Sequence, residues 1–236
     1  MTAPRFVVKT PNNSAKHQDR GVQAYFERAA EDFDLLYAPH RQSAVMRWVN
    51  RHFRRDITER FLKTLEFAER ISPRSVLDAG CGSGRYLPAL ASAGVTRLVG
   101  IDVSDAMIEL ARRETDGIAG ADIDLIRSEF QQWKTSESFD LIVAMGLYDY
   151  AADPARMLKR MRELTKDAVI ASFPSRHWLR TPVRRIRYFL KRCPVHFYDR
   201  AAIESLGREA SFATTEITKI KGAGMDYVAV FRLGRK

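Results

Sequence analysis

The chain of 236 residues fits one large α/β domain or one domain with an appendage, and its 45% hydrophobic content is enough to bury a full core. No apolar run approaches the ~20 residues that span a bilayer, the polar opening MTAPRFVVKTPNNSAKHQDR holds no signal-peptide apolar region, and two isolated cysteines, Cys81 and Cys193, exclude a disulfide framework and point to a reducing, cytoplasmic setting. The balance of 39 Lys+Arg against 29 Asp+Glu, a net charge of +10, favours acidic partners: nucleic acid, anionic lipid or an acidic metabolite.

Residues 1–20 read as a flexible arm, and 21–73 as an N-terminal helical cap. Tyr25, Phe26, Ala29, Phe33 and Leu36 recur at helical spacing until Pro39. Val45, Trp48, Val49, Phe53, Ile57, Phe61, Leu65 and Ala68 form a second stripe, closed by Pro73. From Arg74 strands and helices alternate. SVLDAG is a strand, RYLPALASAG a helix, TRLVGID a strand, and SDAMIELARRE a helix capped by Ser104. DIDLIRS and FDLIVAM are the next strands. DPARMLKRMRELT is a helix with Asp153 as N-cap and Pro154 at its first position, and KDAVIASFP is the fifth strand. A basic, aromatic insertion over 175–198 interrupts the rhythm. The helix DRAAIESLGREA follows, and then the β-branched runs FATTEITKI and DYVAVFRLG. The pattern predicts an α/β domain over 74–236: a Rossmann-like, doubly wound, mostly parallel sheet of seven strands with an antiparallel edge hairpin.

The stretch VLDAGCGSGR at 76–85 sets Gly80, Gly82 and Gly84 at alternate positions after the first strand. Glycine permits positive φ and removes the Cβ that would block close approach, so the turn is expected to bring backbone N–H groups near a ligand. The spacing G-x-G-x-G differs from the dinucleotide fingerprint, with Arg85 where its third glycine would stand, and no Gly-Lys-Ser/Thr follows. Asp102 ends the second strand, where a carboxylate can accept hydrogen bonds from both hydroxyls of a ribose. Glu129 and Phe130 stand at the end of the third. All three segments lie at carboxyl ends of adjacent strands, where α/β ligands bind.

These stretches resemble the motifs of the class I S-adenosylmethionine-dependent methyltransferases, closely over about 74–173 and loosely elsewhere. VLDAGCGSGR is similar to the family's first motif, GIDVSDAMIELA to the second, RSEF to the third and FDLIVAMGLYDY to the fourth. The resemblance implies S-adenosylmethionine as cofactor, with Asp78 and Gly80 at its methionine end and Cys81, Gly82 and Gly84 as further cofactor-binding residues. It also implies Asp102 at the ribose, Met107 and Glu129 at the adenine, Val103 and Phe130 as further cofactor contacts, and Met145 in the motif that lines the methyl-transfer site. Cys81 reads as a small packed residue rather than a nucleophile.

Methyl transfer needs mainly positioning and, for some acceptors, removal of a proton. The loop GLYDYAADP makes Tyr148, Asp149 and Tyr150 candidates for acceptor contact, or else for packing and turn capping. His177, just past the fifth strand, is a candidate general base or a surface histidine. His40 and Tyr25 of the cap are placed to close over the site, and Tyr25 fits the core equally. MGLYDY lacks the Asn/Asp-Pro-Pro-aromatic run of amino-methylating nucleic-acid enzymes, and Cys193-Pro194 lies too far along for a cytosine-methylating nucleophile. No metal-ligand spacing occurs. The face Val183, Ile186, Phe189, Leu190, set against Arg184, Arg185, Arg187 and Lys191, describes a basic amphipathic helix over 181–192. It fits a lid packed on the sheet or an element lying on an anionic membrane. The expected acceptor is a small or lipid-like metabolite methylated at oxygen, in loose similarity to the porphyrin and quinone methyltransferases. An RNA methyltransferase and a non-catalytic S-adenosylmethionine-binding protein are the alternatives.

Overall fold

The computed structural model describes residues 44–175, 196–220 and 226–234. The arm 1–20, Tyr25, His40, His177, the basic helix 181–192 and Cys193-Pro194 lie outside them. Helix α1, Ala44–Ile71, carries the second apolar stripe without a break and ends where Ser72 turns to a φ of 48°, just before Pro73. Five strands and three helices follow: β1 (Ser75–Ala79), α2 (Tyr86–Ser92), β2 (Arg97–Asp102), α3 (Asp105–Thr115), β3 (Asp122–Arg127), β4 (Phe139–Ala144), α4 (Pro154–Leu164) and β5 (Thr165–Phe173). Helix α5 (Arg200–Glu209) and strands β6 (Thr214–Lys219) and β7 (Tyr227–Arg232) complete the order.

The strands form one sheet in the order β3-β2-β1-β4-β5-β7-β6. β1 to β5 are parallel, and β7 runs antiparallel to both β5 and β6. The edge hairpin therefore enters by its second strand: β7 pairs with β5, and β6 becomes the outer edge. β1 is buried at every position, as befits a strand covered on both faces, whereas the edges β3 and β6 alternate in exposure and carry charge outward at Asp122, Asp124, Glu216 and Lys219.

Strand side chains alternate between two apolar layers. Leu77, Ile101, Ile142, Val169 and Phe231 face α4 and α5, through Leu158, Met161, Ile203 and Leu206. Val76, Leu98, Leu141, Ile170 and Val230 face α1 and α2, through Phe67, Ala68, Leu87 and Leu90. The first turns of the helices are held by the side chains the sequence marks. Ser104 Oγ accepts the Met107 N–H at 3.3 Å, Asp153 Oδ1 the Arg156 N–H at 2.9 Å, and Asp199 Oδ1 the Ala202 N–H at 2.8 Å. At the opposite end of the sheet Asp140 Oδ2 accepts the N–H groups of Arg74 and Ser75 at 2.9 and 3.0 Å, and Ser75 Oγ accepts the Asp140 N–H at 3.0 Å, clamping β1 to β4. Among the described residues no helix is long and apolar enough to cross a membrane.

Candidate functional site

β1 has β2 on one side and β4 on the other, so the crevice beyond its carboxyl end is the topological switch point of the sheet. The glycine loop fills it. Gly80, Gly82 and Gly84 all take left-handed φ, at 75°, 54° and 78°. The loop's donors are turned inward, contrary to expectation. Gly80 and Cys81 donate to the Ile101 carbonyl at 2.8 and 3.0 Å, and Gly84 to the Cys81 carbonyl at 3.0 Å. Gly82 donates to Asp102 Oδ2 at 2.9 Å. The first two and the last of these hold the loop to the end of β2 and the Gly84 N–H closes it on itself, so what it offers a ligand is close approach rather than an anion cradle.

Two of the glycines do different work. A Cβ on Gly82 would meet nothing within 4 Å, so its bare face opens on free space. A Cβ on Gly84 would lie 2.9 Å from Ala111 Cβ and 3.0 Å from Ala111 Cα, so the space it leaves is taken by α3 and not by a ligand. Cys81 is buried, and burial followed by Asp78 and Asp102 pushes its thiol up, which keeps it un-ionised.

Asp102 does two structural jobs: besides Gly82, its Oδ1 accepts the Ser104 N–H at 3.0 Å. Its carbonyl accepts the Ser128 N–H at 2.9 Å, drawing the turn of Glu129 and Phe130 to its side. Glu129 is half-buried, accepts a hydrogen bond from Gln132 Nε2, and closes a turn through its carbonyl to Gln132 and Trp133. Phe130 is buried in the core, Val103 is half-buried, and Met107 is buried one turn into α3.

The electrostatic centre of the site is a buried pair that no single motif contains. Asp78, 1% exposed at the end of β1, has its Oδ2 buried without a hydrogen-bond partner. Burial, and secondarily the nearby Asp102, raises its carboxyl to about 8. Arg60, on the inner face of α1, is 13% exposed and ion-paired with Asp226, yet its Nε is buried with no partner. Burial alone would make that guanidinium easier to deprotonate, but Asp149 and Asp226 outweigh it and hold it charged. One Arg60 Nη lies 4.0 Å from where a Cβ on Gly146 would be, so the guanidinium reaches the loop after β4. Tyr86 lies near both groups: burial first and Asp78 next suppress ionisation of its phenol, while Arg60 opposes them. One buried acceptor atom and one buried cationic donor atom are the complement of a zwitterionic amino acid, whose ammonium and carboxylate satisfy both. The sequence reading missed Arg60; its one local signal was a charge among Ile57, Phe61 and Thr64 on the buried face of α1.

The loop after β4 is tied down by Gly146, whose N–H donates to the buried Ser172 Oγ at 2.8 Å. Met145 is half-buried against the core. Tyr148 is fully buried, in keeping with packing rather than acceptor contact. Its ring stacks 4.4 Å from Phe173, its hydroxyl points at Met161 Sδ at 3.6 Å, and burial pushes its phenol well up. Tyr150 is half-buried beside it. Asp149 is buried, and its carbonyl accepts the His196 N–H at 2.9 Å. Tyr198 returns to the same place, donating from its hydroxyl to the Tyr148 carbonyl at 3.2 Å. His196 was also missed by the sequence reading. It is half-buried, and burial pulls its imidazole below the usual value, toward the neutral form.

Comparison with known proteins identifies the family and the fold. The family model for a methyltransferase domain matches residues 37–217. A ubiquinone biosynthesis O-methyltransferase of Coxiella burnetii is 31% identical over 111 residues, 44% of this chain and 44% of that protein, so the chain spans under half of that relative's length. The namesake in Thiobacillus denitrificans is 27% identical over 187 residues, 73% of this chain and 78% of that protein. The crystal structure of magnesium protoporphyrin IX methyltransferase from Synechocystis PCC 6803 with bound SAH superposes with a TM-score of 0.75, covering 92% of this chain and 100% of that one at 18% identity. That likeness is one of fold.

Proposed function

Because the chain belongs to the methyltransferase-domain family, we propose that it transfers a methyl group from S-adenosylmethionine to an oxygen of a small or amphipathic metabolite. The observation that carries the reading is the two buried, unsatisfied atoms Asp78 Oδ2, near the end of β1, and Arg60 Nε, whose guanidinium reaches the loop after β4. They fit the ammonium and carboxylate of the cofactor's amino-acid end. When bound, the cofactor supplies an activated methyl on a sulfonium that is its own leaving group. Gly82 gives the approach, and Asp102 the ribose contact. Met107 and Glu129 serve the adenine side, with Val103 and Phe130 as further cofactor contacts. Cys81 and Gly84 support the loop by packing.

On the acceptor side Asp149 and the neutral His196 are the groups proposed to orient the acceptor oxygen and accept its proton. Asp149 lies close enough to Arg60 to help hold that guanidinium charged, and burial holds His196 toward its neutral, proton-accepting form. Tyr148 holds the loop from within the core. The names of the curated relatives support oxygen as the methylated atom and a small molecule as the acceptor.

The test is methyl transfer from labelled S-adenosylmethionine to polyprenyl phenols, porphyrin carboxylates and RNA in parallel. Labelling of a small oxygen acceptor that falls at least tenfold in His196→Ala, with cofactor affinity kept, is the expected result. Labelling of RNA alone would overturn the acceptor class.

A further inference from the structure

We propose that Asp226 is a positioning residue for the cofactor's carboxylate, acting through Arg60. The inference rests on the reading that the cofactor's amino-acid end lies between Asp78 and Arg60. Asp226 is the residue immediately before β7, and its place follows from register: Tyr227 pairs with Phe173, so residue 226 falls beside the chain leaving β5. There its Oδ1 accepts the Ser175 N–H at 3.1 Å, and its carbonyl accepts the Ile220 N–H at 2.8 Å, closing the hairpin end. Its Oδ2 takes Arg60 Nη2.

The Asp226 side chain is 2% exposed, so this is a buried pair rather than a surface ion pair. An arginine side chain carries about 2 kcal/mol of rotamer entropy. A guanidinium fixed through one edge has already given that up before a ligand arrives. Its Nε–H is left buried and unsatisfied, while an Nη of the same guanidinium reaches the Gly146 loop. The same carboxylate that neutralises Arg60 therefore aims its remaining donor. It also joins α1, the exit of β5 and the β6–β7 hairpin at one point, which no local contact of α1 achieves.

The test compares two ligands by calorimetry: S-adenosylhomocysteine, which carries the amino-acid tail, and 5′-methylthioadenosine, which lacks it. In Asp226→Asn the affinity for S-adenosylhomocysteine should fall roughly tenfold or more, the worth of a charge-assisted hydrogen bond. The affinity for 5′-methylthioadenosine should stay within about twofold. Arg60→Ala should show the same selective loss, and the double variant should lose no more than Arg60→Ala alone. Should Asp226→Asn not fold, Asp226→Glu keeps the charge, displaces the guanidinium by one methylene, and should give the same selective loss. Equal weakening of both ligands, or unchanged affinity for S-adenosylhomocysteine, would overturn the proposal. A wild-type protein that binds neither ligand would instead overturn the assignment of the site. One that binds both equally would overturn the placing of the tail.

Discussion

Asp78 gives the sharpest test of the cofactor site, because its proton must leave before an ammonium can be held. In the ligand-free protein burial raises its carboxyl to about 8, with Asp102 adding to the shift. At pH 7 it is then ionised in about one molecule in ten, and each further unit of pH below that costs about 1.36 kcal/mol of binding. The free cofactor's α-amino group stays protonated below about pH 7.7, so the window from pH 5.5 to 7 isolates Asp78. Cofactor affinity should rise about thirtyfold across that window, with close to one proton released per molecule bound. Calorimetry in two buffers of different ionisation enthalpy counts the proton. Asp78→Asn should bind weakly at every pH, with no proton released. An affinity flat from pH 5.5 to 7 without proton release would refute the reasoning. The linkage also has a stability side. The folded value lies above the unfolded one, so the contribution of Asp78 to stability is full below about pH 4 and is lost as pH rises through about 8. Ligand-free Asp78→Asn should therefore melt above the wild type at pH 8 and close to it at pH 4.

Three further outcomes follow from the packing. Gly82→Ala puts a Cβ into free space at a φ of 54°, so it should fold at a cost of about 1–2 kcal/mol, whereas Gly84→Ala drives a Cβ into Ala111 and should cost more; thermal melts separate the two, and only Gly82→Ala should lose cofactor affinity out of proportion to stability. Asp140 is a pH-dependent clamp: burial alone would raise its carboxyl, but the N–H groups of Ser75 and Arg74 prevail and lower it, so its stabilisation is present above the unfolded value and is lost as pH falls through the folded one, and the melting difference between wild type and Asp140→Asn should shrink in acid. Tyr148→Phe removes only a weak hydroxyl–sulfur contact and should leave turnover within about threefold, while Tyr148→Ala opens the core and should cost about 3–5 kcal/mol in a denaturant titration.

Local chemistry in the sequence determined the units of this protein. Alternating apolar runs gave the strands, Ser104, Asp153 and Pro154 gave helix starts, and three glycines at alternate positions gave a left-handed loop where a ligand comes close. These features depend on neighbours within a few residues, so they can be read in a line. The tertiary structure decided everything that depends on contact across the chain. The inward turn of the loop's N–H groups needs the Ile101 carbonyl at the end of β2, and the burial of Tyr148 needs Phe173 and Tyr198 around it. Asp226 before β7 shows no pattern at its own position, and Arg60 on α1 shows only a charge on an apolar helix face. They meet because the antiparallel register of β7 on β5 carries one carboxylate to the crevice, and because a buried guanidinium has to find its counter-charge there.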